Sequence, residues 1–353
     1  MLPKKHLFIL IRNFIVWSFA FAFWSLMRNF GQEAITPYNT IPLWNQILTH
    51  IVLGVLAGVL FGTLEILFDK YIFRKMRLLH AVIIASISHL IIIIVILFVA
   101  IIILTKTLNI DDNYIDYQAI FFSKQTILAV FYFSFVINLN SVFLEIDKKF
   151  GRGNLWKMFK GEFYYPKEEN RIFMFIDLKS STTIAEKIGH IQYSKFLQEC
   201  FKDLSIVEKY DAEIYQYVGD EAVLTWKTKN GFKSNFCLKA FFAFQHVLMA
   251  KSDYYESTYG VLPEFKAGMH FGNIITAEVG ELKREIAYHG DTINTAARIQ
   301  EVCNLLDAQL LISSDMYNNI ENIHDYVFEF KRELLLKGKT QKIKLYNVKE
   351  KQS

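Results

Sequence analysis

RIFMFID, residues 171–177, sets five apolar residues in a row between an arginine and an aspartate. A short apolar run bounded in this way reads as a buried strand that ends in a carboxylate. Ser180, Ser181 and Thr182 follow as a polar turn, and a helical pattern opens after them. Downstream, Glu213–Val218 alternates as a strand, Gly219-Asp220-Glu221 makes a turn, and Ala222–Trp226 resumes as a second strand. The result is a hairpin with an acidic tip. Asp177 and Asp220, delivered from neighbouring strand ends, can share two divalent ions, because Mg²⁺ prefers oxygen ligands and fills its shell with water and phosphate. Singly, an Asp after a strand is a common helix cap and Gly-Asp a common turn, so the pairing carries the reading.

Working outward, strand patterns near 264–271, 309–313 and 326–348 alternate with helical patterns near 190–209, 235–255 and 292–305. This is an α/β domain whose amphipathic helices cover a sheet. Cys200, Cys237 and Cys303 all fall in this half, and their spacing fits neither a zinc site nor a disulfide framework. A net charge of +4, with scattered basic residues, argues against nucleic acid as a partner.

Upstream the composition changes. Four apolar stretches, about 7–28, 47–68, 80–104 and 119–143, each approach the ~20 residues that a helix needs to cross hydrocarbon. A membrane domain over 1–144, a coupling linker over 145–170 and a soluble domain over 171–353 are expected. Reading the first stretch as a signal peptide is disfavoured by Arg12 and Asn13 within it and by the three spans that follow. Lys4, Lys5, Lys70, Arg74, Lys75, Arg77, Lys148, Lys149, Arg152 and Lys157 fall on one side of an even number of crossings; Glu33, Asp111, Asp112 and Asp116 fall on the other. Both termini and the soluble domain are therefore expected in the cytoplasm, on an inner plasma membrane in contact with lipid. Within the spans, Glu65 is read as reaching the nearby interface and His89 as a structural residue.

Residues 171–182 and 213–226, then Phe265–Gly272, then Gly290-Asp-Thr-Ile-Asn-Thr-Ala-Ala-Arg298, closely resemble in order and spacing the class III nucleotidyl cyclases, the adenylyl and guanylyl cyclase family. The resemblance spans about 170–348 and implies a ferredoxin-like α/β sandwich with added strands. It implies metal binding by Asp177, Leu178 and Asp220, with two Mg²⁺ or Mn²⁺ ions, and transition-state stabilisation by Asn294 and Arg298. Those two stand i and i+4 on one helix face. A planar guanidinium suits charge developing on an α-phosphate, and Asn294 would orient the ribose or its attacking hydroxyl. Lys337, in Leu336-Lys337-Gly338-Lys339, resembles the lysine that binds the terminal phosphates, although a solvated turn lysine has the same pattern. The implied reaction is attack of the ribose 3′-hydroxyl on the α-phosphorus with loss of pyrophosphate, and it needs no protein nucleophile. Asp177 is open to either role, ligand or proton acceptor. The family places its metal aspartates and its Asn/Arg pair on opposite sides of a dimer interface, so a homodimer with two sites is implied.

The base-reading positions depart from the family. Alignment through Gly219 and Gly290 puts Gln216 and Ala287 where Lys with Asp or Thr usually reads adenine and Glu with Cys reads guanine. Glutamine both donates and accepts, and alanine offers no side-chain hydrogen bond, so ATP is favoured only by the family's bacterial majority and GTP stays open. Tyr288 or His289 are candidates to contact the base instead. A membrane receptor with a silent cyclase-like domain is the alternative outside enzymes, with Ala287 in its favour; a transporter lacks the acidic and small-residue features of a substrate path.

Overall fold

The strand expected at 171–177 is the centre of the C-terminal half, and it is longer than its apolar run: β1 covers Lys167–Leu178. The computed structural model describes residues 4–29, 42–71, 78–107, 119, 122–151, 154–282, 284–321, 323–336 and 341–351. It divides into two units, Met1–Phe150 and Gly151–Ser353.

In the second unit, a short helix α5 (Asn154–Phe159) precedes β1. Helices α6 (Ser181–Ile188) and α7 (His190–Leu204) lead to the hairpin of β2 (Glu213–Val218) and β3 (Glu221–Lys227). Then come α8 (Phe236–Met249), α9 (Ser252–Tyr259), β4 (Phe265–Val279), β5 (Glu285–His289) and α10 (Asp291–Glu301). The chain closes with β6 (Leu310–Ser313), α11 (Ser314–Asn319), β7 (Tyr326–Leu334) and β8 (Ile343–Glu350). The sheet order is β2-β3-β1-β4-β6-β8-β7, with β5 paired to β4. All pairs are antiparallel except β4 with β6.

Side-chain alternation along β1 builds two cores. Ile172, Met174 and Ile176 face one way, into a core with Phe196, Leu204, Phe241, Phe244 and Tyr255 from the helices. Phe173 and Phe175 face the other way, against Ala296 of α10 and Ile274 of β4. Because both faces are covered, the strand reads as a continuous apolar run. Lys167–Asn170 carry no such pattern; they are strand because β4 supplies partners as far as Lys167↔Thr276. The same pairing carries β4 beyond the expected 264–271, and the stretch 326–348 folds back on itself as β7 and β8.

The first unit is helical: α1 (Lys4–Asn29), α2 (Leu43–Tyr71), α3 (Leu78–Thr107) and α4 (Lys124–Phe150). Among the described residues, His6–Arg28, Leu43–Phe68 and Lys124–Leu144 are long and apolar enough to cross a membrane; α3 contributes the shorter described apolar run Ile83–Val95. α1 and α2 touch backbone to backbone: a Cβ on Gly54 would lie 2.6 Å from Ser18 Cα, and one on Gly58 2.8 Å from Phe14 Cα. Trp17 stacks on Phe61 at 4.3 Å, and Phe21 meets Phe133 of α4 at 4.6 Å.

Two intramembrane expectations can be placed. Glu65 does not reach the interface alone: its carboxylate accepts from Arg12 Nη2 at 2.5 and 2.7 Å and from Asn13 Nδ2 at 2.9 Å. Pairing within the bundle offsets the charge that snorkelling would have carried to water. His89 donates from Nδ1 to the Ala85 carbonyl and stacks on Phe61 at 4.9 Å, a packing role. Of the charges used for orientation, Glu33, Arg74, Lys75, Arg77, Asp111, Asp112, Asp116 and Arg152 lie outside the described residues.

Candidate active site

The acidic end of the sheet is assembled by strand register. Asp177 on β1 pairs with Glu221 on β3 and with Lys266 on β4, so three ionisable residues share one row across three strands. Asp220 precedes Glu221 in the two-residue turn, where Gly219 adopts φ 62°, a conformation glycine takes at little cost. Lys266 Nζ lies 3.2 Å from Asp177 Oδ2, and Gln300 of α10 donates to the same oxygen at 3.0 Å. Burial raises the Asp177 pKa and the neighbouring Asp220 adds to the rise, while Lys266 and Gln300 oppose it. Glu221 is pushed up to about 7, by burial first and then by Asp177 and Asp220. Half-buried carboxylates set this close, with Asp220 raising the pKa of Asp177 and both raising that of Glu221, make a field that divalent cations would relieve.

The donor set fits hard cations with a shell open to solvent and substrate. Among the described residues, no group of three or more His, Cys, Asp or Glu converges as a protein-only metal cage. Mg²⁺ does not need one, since it keeps waters and takes substrate phosphate oxygens. Leu178 has a buried aliphatic side chain, so its contribution to such a shell would be its backbone carbonyl oxygen.

Asn294 and Arg298 lie on α10, whose buried side is Thr292, Thr295, Ala296, Ile299 and Gln300. Asn294 is exposed and Arg298 half-buried. Among the described residues, no hydrogen bond or ion pair joins either of them to Asp177 or Asp220. The helix instead presents Gln300 to Asp177 and leaves Asn294 and Arg298 on its outer side. Gly268 fixes its depth: a Cβ there would lie 2.2 Å from the Gln300 nitrogen, so only glycine lets α10 settle this close to β4.

Gln216 is exposed, just beyond an irregularity in the β2–β3 ladder, and Ala287 is half-buried on β5. Their chain neighbours meet, with the Tyr215 and Tyr288 rings 4.7 Å apart. The curl of the sheet thus brings the expected base-reading stretches of β2 and β5 together. Tyr288 itself is committed to packing, against Phe173 at 5.5 Å and under the Arg171 guanidinium at 4.9 Å, and burial raises its pKa. His289 is exposed. Lys337 lies outside the described residues.

Sequence reasoning missed Lys266, Gln300 and Arg171. The available signals were a lone lysine inside the apolar strand pattern 265–271 and a polar residue on the inner side of α10. Arg171 is buried, with Nε donating to Glu169 and Nη1 to Glu213, both at 2.9 Å.

Residues 163–350 match the family described as Adenylate and Guanylate cyclase catalytic domain. This is more than half of the chain, which belongs to that family, the class III nucleotidyl cyclases. Among curated proteins it is 34% identical over 178 residues to Adenylate cyclase 2 of Rhizobium meliloti (strain 1021), covering 50% of this chain and 49% of that protein. It is 32% identical over 81 residues to Guanylate cyclase beta of Plasmodium falciparum (isolate 3D7), 23% of this chain and 2% of that one. The chain thus spans about half the length of the first relative and a small part of the second. A solved bacterial light-regulated adenylyl cyclase shares the fold, at 16% identity and TM-score 0.55 over 65% of this chain and 67% of that one.

Proposed function

We propose that this chain is a membrane-anchored adenylate cyclase that closes ATP to cyclic AMP and pyrophosphate at a homodimer interface. The observation that carries the reading is the split of the site: the carboxylates Asp177 and Asp220 crowd one end of the sheet, while Asn294 and Arg298 stand apart on the outer side of α10. Each set needs the other for chemistry, and a second copy of the chain supplies it.

In this reading Asp177, Asp220 and the Leu178 carbonyl hold two Mg²⁺ or Mn²⁺ ions. When bound, such ions lower the pKa of the 3′-hydroxyl and neutralise phosphate charge. Gln300 and Lys266 position Asp177 through its Oδ2. Arg298 of the other copy meets charge developing on the α-phosphate, and Asn294 orients the ribose. Gln216 and Ala287 border the base, and Lys337 takes the terminal phosphates. The similarity to an adenylate cyclase across 178 residues favours adenine. The apolar helices hold the enzyme at the inner plasma membrane with both termini cytoplasmic, a topology supported by the lysines and arginines on one side of the spans. The segment 145–170 couples spans to catalysis.

The test is turnover by full-length protein in detergent, with ATP or GTP and Mg²⁺ or Mn²⁺, for wild type, Asp220→Ala, Arg298→Ala and the two variants co-expressed. Cyclic AMP from the wild type, little from either variant, and about a quarter of wild-type activity from the co-expressed pair would support the reading, since half the dimers then hold one intact site. Cyclic GMP from GTP instead of cyclic AMP from ATP would reassign the base. Nucleotide binding without turnover would favour the silent receptor.

A further inference from the structure

The stretch just after the last apolar helix has a surface that catalysis does not use. Trp156 is 58% exposed, Phe159 73%, Tyr164 72% and Tyr165 76%, four large aromatic side chains within ten residues. Lys157 and Lys160 are interleaved with them, against the single acid Glu162; Lys167 follows the patch and is itself followed by Glu168 and Glu169. Lys160 Nζ sits 5.5 Å from the Trp156 ring. The patch is fastened to the catalytic unit: Phe163 is buried, and its carbonyl accepts from the Glu278 amide at 2.9 Å. Glu278 is near the end of β4, and the turn beyond it presents Leu282, fully exposed, beside Arg284.

In the membrane-anchored reading proposed above, on which this inference rests, chain length bounds how far the patch can lie from the end of the last span. The apolar span of α4 ends at Leu144, and the helix continues to Phe150. Six helical residues add about 9 Å, and four peptide steps to Asn154 add at most about 14 Å. We infer that Trp156, Phe159, Tyr164 and Tyr165, with Lys157 and Lys160, form a docking surface for the anionic headgroup layer of the membrane. Amphipathic rings settle at the water–hydrocarbon boundary, and lysines are attracted to anionic lipid. A second copy is the less suitable occupant, because a two-fold contact on this patch would set lysines against lysines. Docking would fix the stance of the catalytic unit through β4.

The test uses the full chain in liposomes with a nitroxide on Phe159→Cys or Tyr164→Cys. All three native cysteines are buried, so the label reports the new site. Ile191→Cys, at a position 76% exposed on α7, is the aqueous reference. In phosphatidylcholine vesicles containing phosphatidylglycerol, the ratio of oxygen to nickel-chelate collisions should exceed the reference at least threefold at both positions. The ratio should fall at least twofold in pure phosphatidylcholine or in Lys157→Glu/Lys160→Glu. Collision ratios equal to the reference would overturn the proposal, as would no dependence on lipid charge. Spin–spin coupling between copies at residue 159, with exclusion from both reagents, would assign the patch to self-association instead.

Discussion

The two ends of the apolar run in β1 carry opposite solutions to burying charge. At one end Arg171 is nearly inaccessible, yet two carboxylates and the Tyr288 ring surround its guanidinium. At the other end Asp177 faces Lys266 but also Asp220 and Glu221, and burial first, with Asp220 adding to it, raises the pKa of both Asp177 and Glu221. The first end is satisfied by its own chain and braces β1, β2 and β5 where the stretches expected to read the base meet. The second holds more negative charge than its neighbours offset. Excess charge of this kind is tolerated where a ligand completes it, and the contrast separates an architectural site from a candidate binding site on a single strand.

The largest effect should come from removing charge at the crowded end. Asp220→Asn is expected to lower turnover by about 10³-fold or more, as loss of the metal ligand proposed here would remove several kcal/mol of transition-state stabilisation. Its melting temperature, measured without divalent ions, should stay level or rise, because a repelling neighbour of Asp177 and Glu221 has gone. The converse holds at the satisfied end. Arg171→Met strands Glu169 and Glu213 and should cost roughly 3 kcal/mol, seen as a fall of roughly 6–12 °C in the catalytic unit's melting transition. Arg171→Lys should recover only part of this, since an ammonium cannot fork between two carboxylates. Equal thermal losses for Asp220→Asn and Arg171→Met would erase the distinction.

Much of this arrangement was legible before the structure, and the reasons are local. The apolar run 171–177 announced a buried strand because both its faces are covered, and Gly219-Asp220 announced a turn because glycine punctuates a hairpin. Four apolar stretches announced a membrane unit because hydrocarbon tolerates little else. Partners set by register were not legible. Lys266 meets Asp177 only because β4 pairs with β1 in one register, and Gln300 arrives from a helix 123 residues away. Arg171 looked like the polar flank of a strand, and Glu65 like a residue within reach of water. Each is held by a partner more than forty residues distant in sequence, Glu213 and Arg12. Strand β5 was missed because its five residues are half-exposed at the sheet's margin and follow no clear alternation.

The depth of α10 links the two ends and gives an intermediate effect. A methyl at position 268 would have to push the Gln300 backbone away from β4, since the nearest atoms are main chain and cannot rotate aside. Gly268→Ala should therefore cost about 1–3 kcal/mol. It should also lower turnover more than an equally destabilising change elsewhere, because the shift carries Asn294 and Arg298 with it and pulls Gln300 off Asp177. Comparing turnover at matched melting temperature, with Ile312→Ala as the control in the opposite core, would separate displacement from simple instability.

The smallest effect is the most direct probe of crowding. Glu221 has a folded-state pKa of about 7 against an ordinary 4.5, so between those pH values the folded chain holds a proton that the unfolded chain has released. By linkage the contribution is fully present below about pH 4.5 and is lost as pH rises through about 7. Asp177, shifted in the same direction, adds with the same sign. Other carboxylates titrate in this window too, so the quantity to measure is the difference in melting temperature between wild type and Glu221→Gln, in chelator, from pH 5 to 8. Wild type should lose a few degrees relative to the variant across that range. Adding Mg²⁺ should flatten the difference, since a bound cation favours the ionised carboxylates and supplies the charge that the proton did. A flat difference in chelator would mean that Lys266 and Gln300 already balance the acidic end, leaving it no less satisfied than the end built around Arg171.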